Sequence, residues 1–318
     1  MIFKICLFIN AATCFFFPSG ESDYFRHSAC VQESGRFLEE DLCRAVPLHF
    51  NVLELLAHTD VQALQVLRVE KCLLRSSQLL SHENPFVAAA AEGNLDLVKT
   101  LFKDLLKSRC FFEPEILLAA AYSASAEGHR EVLRFLFDKV FLESCCYIDQ
   151  EILNNCALLA ASQGQLEVLK FLLRKAFPEN FFLVSLRLLD ECAILASAHG
   201  QLEILKFITL QEIPENFSFV SSSTLNLCCI VASADGETET LEFLFKKVQP
   251  QSAFLLSQEI FNNSLIAASA NGKLDTLQFL LRLARSERLW FLERDVLENC
   301  RIFALSRRQI EVTNLFSR

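Results

Sequence analysis

One stretch in the middle of the chain decides the fold: Leu159-Ala160-Ala161-Ser162-Gln163-Gly164-Gln165-Leu166-Glu167-Val168-Leu169-Lys170-Phe171-Leu172-Leu173. Small and apolar residues precede the glycine, and a leucine-rich run follows it. Apolar residues spaced three and four apart are typical of one face of an α-helix, and glycine readily ends a helix in the left-handed conformation. The stretch therefore predicts the end of one helix, a tight turn at Gly164 and the start of a second helix.

The same stretch recurs along the chain at a nearly constant spacing. The first interval between its glycines is 35 residues and the next four are each 36, with the glycines at Gly93, Gly128, Gly164, Gly200, Gly236 and Gly272. One more step reaches Arg308, where a last unit lacks the glycine. A period of this length predicts helix pairs that bury their apolar faces by stacking on their neighbours, and we expect about seven such pairs.

Signals for the ends of helices recur with the same period. Residues favoured at helix N-caps precede the first helix of successive units, at Asp149, Ser185, Ser221 and Ser257. Proline, which cannot continue a helix, follows the second helix at Pro178, Pro214 and Pro250. We therefore expect each unit to contain two helices joined by a short turn.

The repeat resembles the ankyrin repeat. Leu159-Ala160-Ala161, then Gly164, Leu166-Glu167-Val168-Leu169 and Leu172-Leu173 follow that family's pattern, and Asn84-Pro85-Phe86-Val87 stands where the family has Thr-Pro-Leu-His. The resemblance covers residues 82–318 and implies an all-α, ankyrin-like helical repeat solenoid. Later units lack the proline and the Gly-Ala-Asp hairpin segment, so we expect longer first helices and reduced or absent β-hairpins. The proline position is instead occupied by Cys156, Cys192, Cys228, Ser264 and Cys300.

The first 81 residues lie outside the clear repeats. Residues 1–45 do not repeat, and the apolar run within residues 1–20 resembles a secretory signal or a segment that packs on the solenoid; it is too short to span a membrane. Residues 46–81 are helical in pattern and predict a capping helical segment, which the ends of repeat proteins need. An alternative is an F-box-like module, which Pro47, Val69 and Lys71 resemble. Such modules connect substrate adaptors to cullin ubiquitin ligases.

Composition and motifs argue against several function classes. The chain has 13 cysteines, no Cys-x-x-Cys pair and a net charge of −9. Equivalent positions in stacked units lie about 10 Å apart, beyond the reach of a disulfide, so the cysteines at the proline position are expected to be small buried residues. No basic stripe indicates nucleic-acid binding, and no motif indicates a metal, a cofactor or a catalytic site. We expect a protein that is not an enzyme, although an unrecognised site within residues 1–80 remains an alternative.

The function most consistent with these features is a scaffold that binds another protein on its concave face. One first-helix position is polar in five successive units, at Asn154, Asp190, Asn226, Asn262 and Glu298. The position before the glycine is also polar, at Gln163, His199, Asp235 and Asn271. We expect these residues to form a ridge that a partner contacts, with Trp290 as an aromatic anchor.

The remaining expectations concern the partner and the compartment. We expect a monomer without a stable membrane span, located in the cytoplasm, because many free thiols favour a reducing compartment. The degenerate repeats are similar to those of ankyrin-repeat effectors of intracellular bacteria. That resemblance implies a host protein as the target and delivery into a host cell as one alternative.

Overall fold

The computed structural model describes residues 61–107, 114–141, 150–175, 186–209, 220–245, 257–286 and 292–316. These residues form fifteen α-helices and no β-strand, which confirms the prediction of an all-α fold. All of them belong to one compact unit, residues 51–318. The segments between successive pairs, where β-hairpins would lie, fall outside the described ranges, as do Asp149, Ser185 and the three periodic prolines.

A long helix, α1 (Val61–Glu83), precedes seven helix pairs. The first helices of the pairs are α2 (Pro85–Ala91), α4 (Pro114–Ala126), α6 (Gln150–Ser162), α8 (Leu186–Ala198), α10 (Ser222–Asp235), α12 (Gln258–Ala270) and α14 (Arg294–Ser306). The second helices are α3 (Leu95–Lys107), α5 (Arg130–Phe135, continued by a π-helical segment at Leu136–Val140), α7 (Leu166–Lys175), α9 (Leu202–Thr209), α11 (Thr238–Phe243), α13 (Leu274–Ser286) and α15 (Ile310–Phe316).

The starts of the first helices follow the capping signals of the sequence. Ser221 and Ser257 are N-caps, and their hydroxyls accept hydrogen bonds from the backbone N–H groups of Thr224 and Ile260. Helix α2 has only seven residues, because Pro85 occupies its first position and Asn84 caps it. Where the proline is absent, as in α6, the first helix has 13 residues. The prediction of longer first helices in these units is therefore confirmed.

The turn between the two helices of a pair uses the left-handed backbone region. All six repeat glycines have positive φ angles, between 67° and 88°. Gly164 shows why the position is also sterically restricted: a Cβ atom there would collide with the side-chain oxygen of Gln201 from the next pair. The glycine thus permits both the turn and the close approach of the following unit.

The core is a row of first helices that pack side by side. Each first helix contacts the next one, so the row runs α2, α4, α6, α8, α10, α12 and α14. Residues Ala119–Ala126 of α4 are all buried. A helix that is apolar on every side must be covered on every side. The second helices cover one side of this row and keep a charged face, with Glu167 and Glu203 exposed.

Side chains from one unit bind backbone carbonyls of the preceding unit. His129 Nε2 lies 2.8 Å from the carbonyl oxygen of Ala91, and Gln165 and Gln201 donate to the carbonyls of Ala126 and Ser162 at 3.1 and 3.2 Å. Each of these side chains follows a repeat glycine directly. These bonds fix the register between neighbouring pairs, because they satisfy carbonyls that the end of a helix leaves unpaired.

Helix α1 does not stack on the end of the row alone. It packs against α2 and α4 and extends to α6 and α8, so it contacts the first helices of four successive pairs. A segment that only capped the row would contact the first pair and none of the following ones. Within residues 46–81, for which we considered a capping segment and an F-box-like module, the described part is this single helix, and residues 46–60 lie outside the described ranges.

Candidate partner-binding face

The polar positions predicted to form one ridge lie at the two ends of the first helices. Asn154 is within the first two turns of α6, whereas Gln163 directly follows the last residue of the same helix. Nine residues of α-helix span about 14 Å, so these positions form two separate rows. We call them the start row (Asn154, Asp190, Asn226, Asn262 and Glu298) and the end row (Gln163, His199, Asp235 and Asn271).

Three members of the start row hydrogen-bond within their own helix. Asn154 and Asn262 accept from the amides of Gln150 and Gln258, at 2.7 and 2.8 Å. Glu298 is exposed and pairs with Arg301 at 2.7 Å, a contact that lowers the pKa of the Glu298 carboxyl. Bonds within one helix can be exchanged for bonds to another molecule without separating the stacked pairs.

The other two members of the start row are tied to the fold. Asp190 Oδ1 accepts a hydrogen bond from the backbone N–H of Ser221, the N-cap of the next first helix, at 3.1 Å. Replacing Asp190 with lysine would remove this bond between two units, so we expect the change to lower stability. Asn226 is half-buried and its side-chain oxygen is enclosed without a hydrogen-bond partner.

The end row also combines exposed and structural side chains. Gln163 is exposed and its amide contacts the Ser162 hydroxyl at 3.3 Å. Asn271 donates to the carbonyl of Ala234 in the preceding pair at 3.0 Å, so it takes over the bond between units that Gln165 and Gln201 make earlier in the chain. Asn271 therefore helps to hold two neighbouring pairs together, and Gln163 is the more accessible of these two residues.

His199 of the end row faces helix α1. Its Nε2 atom lies 3.5 Å from Oε1 of Glu70, and the Glu70 side chain is 1% exposed. Neither carboxylate oxygen of Glu70 has a hydrogen-bond partner. A buried charge that lacks a well-placed partner destabilises the arrangement by several kcal/mol, and a protonated His199 offsets part of that penalty. The pair thus places an incompletely compensated charge in a largely apolar interface.

Further acidic groups surround this histidine. The contact with Glu70 raises the pKa of His199 above its ordinary value; burial opposes that increase, Asp235 adds to it and Lys71 reduces it. Burial and the charge of Asp235 raise the pKa of Glu237, against the effects of Lys273 and His199. Three acidic groups therefore act on His199: Asp235 of the end row, Glu70 of α1, and Glu237.

Two of these acidic groups were not predicted from the sequence. Glu70 lies outside the clear repeats, and only the path of α1 across the first helices buries it. Glu237 occupies the position that carries Gln165 and Gln201 in earlier units, so its departure from the repeat is visible in the sequence and could have marked it. Trp290, the predicted aromatic anchor, lies outside the described residues.

The cysteines at the vacant proline position are buried packing residues. Cys156, Cys192, Cys228 and Cys300 are free thiols with no exposed surface, and Ser264 fills the same place in its unit. Burial raises the pKa of Cys156 and Cys228 to about 12 and that of Cys300 to about 11. The prediction that these residues are small and buried is confirmed.

These thiols should be unreactive in the folded protein. At about pH 8, raising a thiol pKa from 9.0 to about 12 lowers the thiolate fraction roughly a thousandfold. We expect iodoacetamide to label Cys156 and Cys228 at least about a hundredfold more slowly than the half-buried Cys72, as read by peptide mass spectrometry. Labelling of all three in urea at one common rate is the control. Equal rates in the native protein would contradict the buried placement.

Membrane spans and metal sites are both absent from the part of the chain that the structure describes. None of the helices there is both long and apolar enough to cross a bilayer. The same residues hold no group of three or more His, Cys, Asp or Glu side chains in an arrangement that could bind a metal ion.

No protein-family model matches the chain. A search of curated proteins likewise finds no significant match.

Proposed function

We propose that the chain is an ankyrin-like helical repeat solenoid that binds another protein through the start row. The 36-residue period, the left-handed glycine at six of the seven turns and the side-by-side first helices support the repeat assignment. We propose a binding role and not a catalytic one. The buried free thiols favour a reducing compartment such as the cytoplasm.

One observation carries the proposed binding surface. Polar side chains occupy the same position in five successive first helices, and among the described residues three of them, Asn154, Asn262 and Glu298, hydrogen-bond to side chains of their own helix. A fold does not require amide and carboxylate groups at such a position. Repeat proteins recognise partners with side chains that differ between units while the packing residues stay the same.

Substituting the start row should abolish binding of a protein partner. Asn154→Arg, Asn262→Arg and Glu298→Arg together add four positive charges to this row. We expect a partner captured from eukaryotic lysate by the wild-type chain to be recovered at least about tenfold less with this variant, because charge that opposes a complementary surface costs a few kcal/mol. Recovery is measured by quantitative mass spectrometry.

A matched control separates the location of the charge from its amount. Glu167→Arg and Glu203→Arg also add four positive charges, but on the exposed side of the second helices α7 and α9. We expect this variant to retain the partner, and circular dichroism must show both variants folded. If the start-row variant captures the same proteins as the control, the start row is not the binding surface.

A further inference from the structure

Helix α1 covers a surface that has the dimensions of a helix-binding site. Its 23 residues span about 35 Å. Four first helices packed about 10 Å apart span about 30 Å, and α1 contacts four of them, α2, α4, α6 and α8. The length of α1 therefore matches the width of the surface beneath it.

The buried side of α1 is largely apolar, and its polar residues are Glu70 and two serines, Ser76 and Ser77, whose hydroxyls donate to carbonyls of their own helix. Val66, Leu67 and Leu73 are buried against the first helices, and Glu70 lies among them with no exposed surface. Arg68 and Arg75, on the outer side, are exposed. This is the pattern of an amphipathic helix that binds in a groove, with buried residues spaced three and four apart. Glu70 is the one charged residue on that buried side.

Glu70 makes the attachment of α1 depend on the protonation of His199. Glu70 lies 3.5 Å from His199, the residue that follows α8, and neither of its carboxylate oxygens has a hydrogen bond, so His199 compensates the charge of Glu70 only while it carries a proton. Three other charged groups act on His199. Lys71 lies in α1, Asp235 is the last residue of α10, and Glu237 lies between α10 and α11. The contact with Glu70 raises the pKa of His199. The contact therefore stabilises the attachment of α1 fully below the ordinary histidine pKa of about 6.5, and this stabilisation is lost as the pH rises through the raised pKa of His199.

We propose that α1 is a displaceable strap, and that the surface beneath it binds an amphipathic helix of a partner protein with a neutral hydrogen-bonding side chain in place of Glu70. This inference rests on the proposed binding function but concerns a different surface, the side of the first helices around His199. A neutral amide at the position of Glu70 would meet His199 without burying a charge. A partner helix with such a residue would therefore compete with α1.

The first test follows hydrogen exchange of α1 in the full chain. We expect the protection of residues 61–83, relative to residues 258–270 of α12, to fall at least about tenfold between about pH 6 and about pH 8.5, after correction for intrinsic exchange rates. Glu70→Gln should remove this pH dependence. His129→Gln is the matched control, since the hydrogen bond of His129 is to the Ala91 carbonyl, and it should leave the dependence unchanged.

The second test offers the surface a helix in trans. The probe is a labelled synthetic peptide with the sequence of residues 61–83 carrying Glu70→Gln, added to the full-length protein. We expect it to bind at least about tenfold more tightly than the unmodified peptide and to accelerate exchange in residues 61–83 of the chain. A peptide of the same composition in scrambled order should do neither.

The outcomes decide the proposal separately from the proposed function. If α1 exchanges as slowly as α12 at both pH values and the modified peptide changes nothing, α1 is a permanent part of the fold and the proposal is overturned. If the peptide displaces α1 while the start-row variant still captures every partner, the proposal for the surface under α1 is supported. The start row is then not the binding surface.

Discussion

Replacing Phe261 with alanine should lower the free energy of unfolding by about 3–5 kcal/mol, the range typical of a large aromatic side chain lost from a core. Phe261 lies in α12 with no exposed surface, and its ring meets that of Phe245 edge to face at 6.1 Å between centroids. The variant removes both the buried area and this ring contact. Urea denaturation followed by far-ultraviolet circular dichroism measures the loss.

Hydrogen exchange gives a second readout, because it shows where along the chain protection is lost. In a row of stacked pairs each unit contacts only its neighbours, so protection from hydrogen exchange should fall most in α10 to α14 and least in α4. Ile302→Ala in α14 is the control, because Ile302 is half exposed and should lose less than about 1 kcal/mol. A uniform loss of protection over all pairs would show that the row unfolds as one cooperative unit.

Gly164→Val should be nearly as damaging, at about 2–4 kcal/mol. A residue other than glycine in the left-handed region costs about 1–2 kcal/mol, and Gly164 has φ +76°. Its Cβ would also displace Gln201, whose amide donates to the carbonyl of Ser162, and a lost hydrogen bond adds about 1 kcal/mol. The measurement is again the urea midpoint at constant slope.

The last unit provides the reverse experiment. Arg308 occupies the equivalent turn with φ +60° although it is not glycine. Arg308→Gly should therefore raise stability by about 0.5–1 kcal/mol, the left-handed penalty minus the added entropy of the unfolded chain. If Gly164→Val were tolerated and Arg308→Gly had no effect, backbone conformation would not be what selects glycine at these turns.

The features that the sequence predicted are either local or periodic. A left-handed turn needs glycine whatever surrounds it, a serine N-cap acts within three residues, and the cysteine position repeats at a fixed interval. Each of these depends on residues that are close in the chain or equivalent between units. For this reason the roles of Gly164, Ser221 and Cys192 follow from the amino-acid sequence alone.

The features that the sequence did not predict depend on contacts between distant residues. Glutamate is ordinarily exposed, and nothing around Glu70 in the sequence indicates that α1 crosses the first helices and buries it. The bond from the Ser221 backbone to Asp190 joins two units and is likewise invisible in the repeat pattern. Of the predicted binding residues, Asp190 and Asn271 are therefore structural, because polar residues at equivalent positions can bind either a partner or the neighbouring unit.

The path of α1 also has a consequence for biosynthesis. Glu70 leaves the ribosome about 130 residues before His199, an interval of roughly 7–26 s at 5–20 residues per second. During that interval the helix has been made and the last part of its docking surface has not. Attachment of α1 is therefore completed only after the fourth pair has been made, and until then part of the apolar side of α1 has no surface to pack against. A chaperone can bind that side of α1 before α1 completes its own contacts.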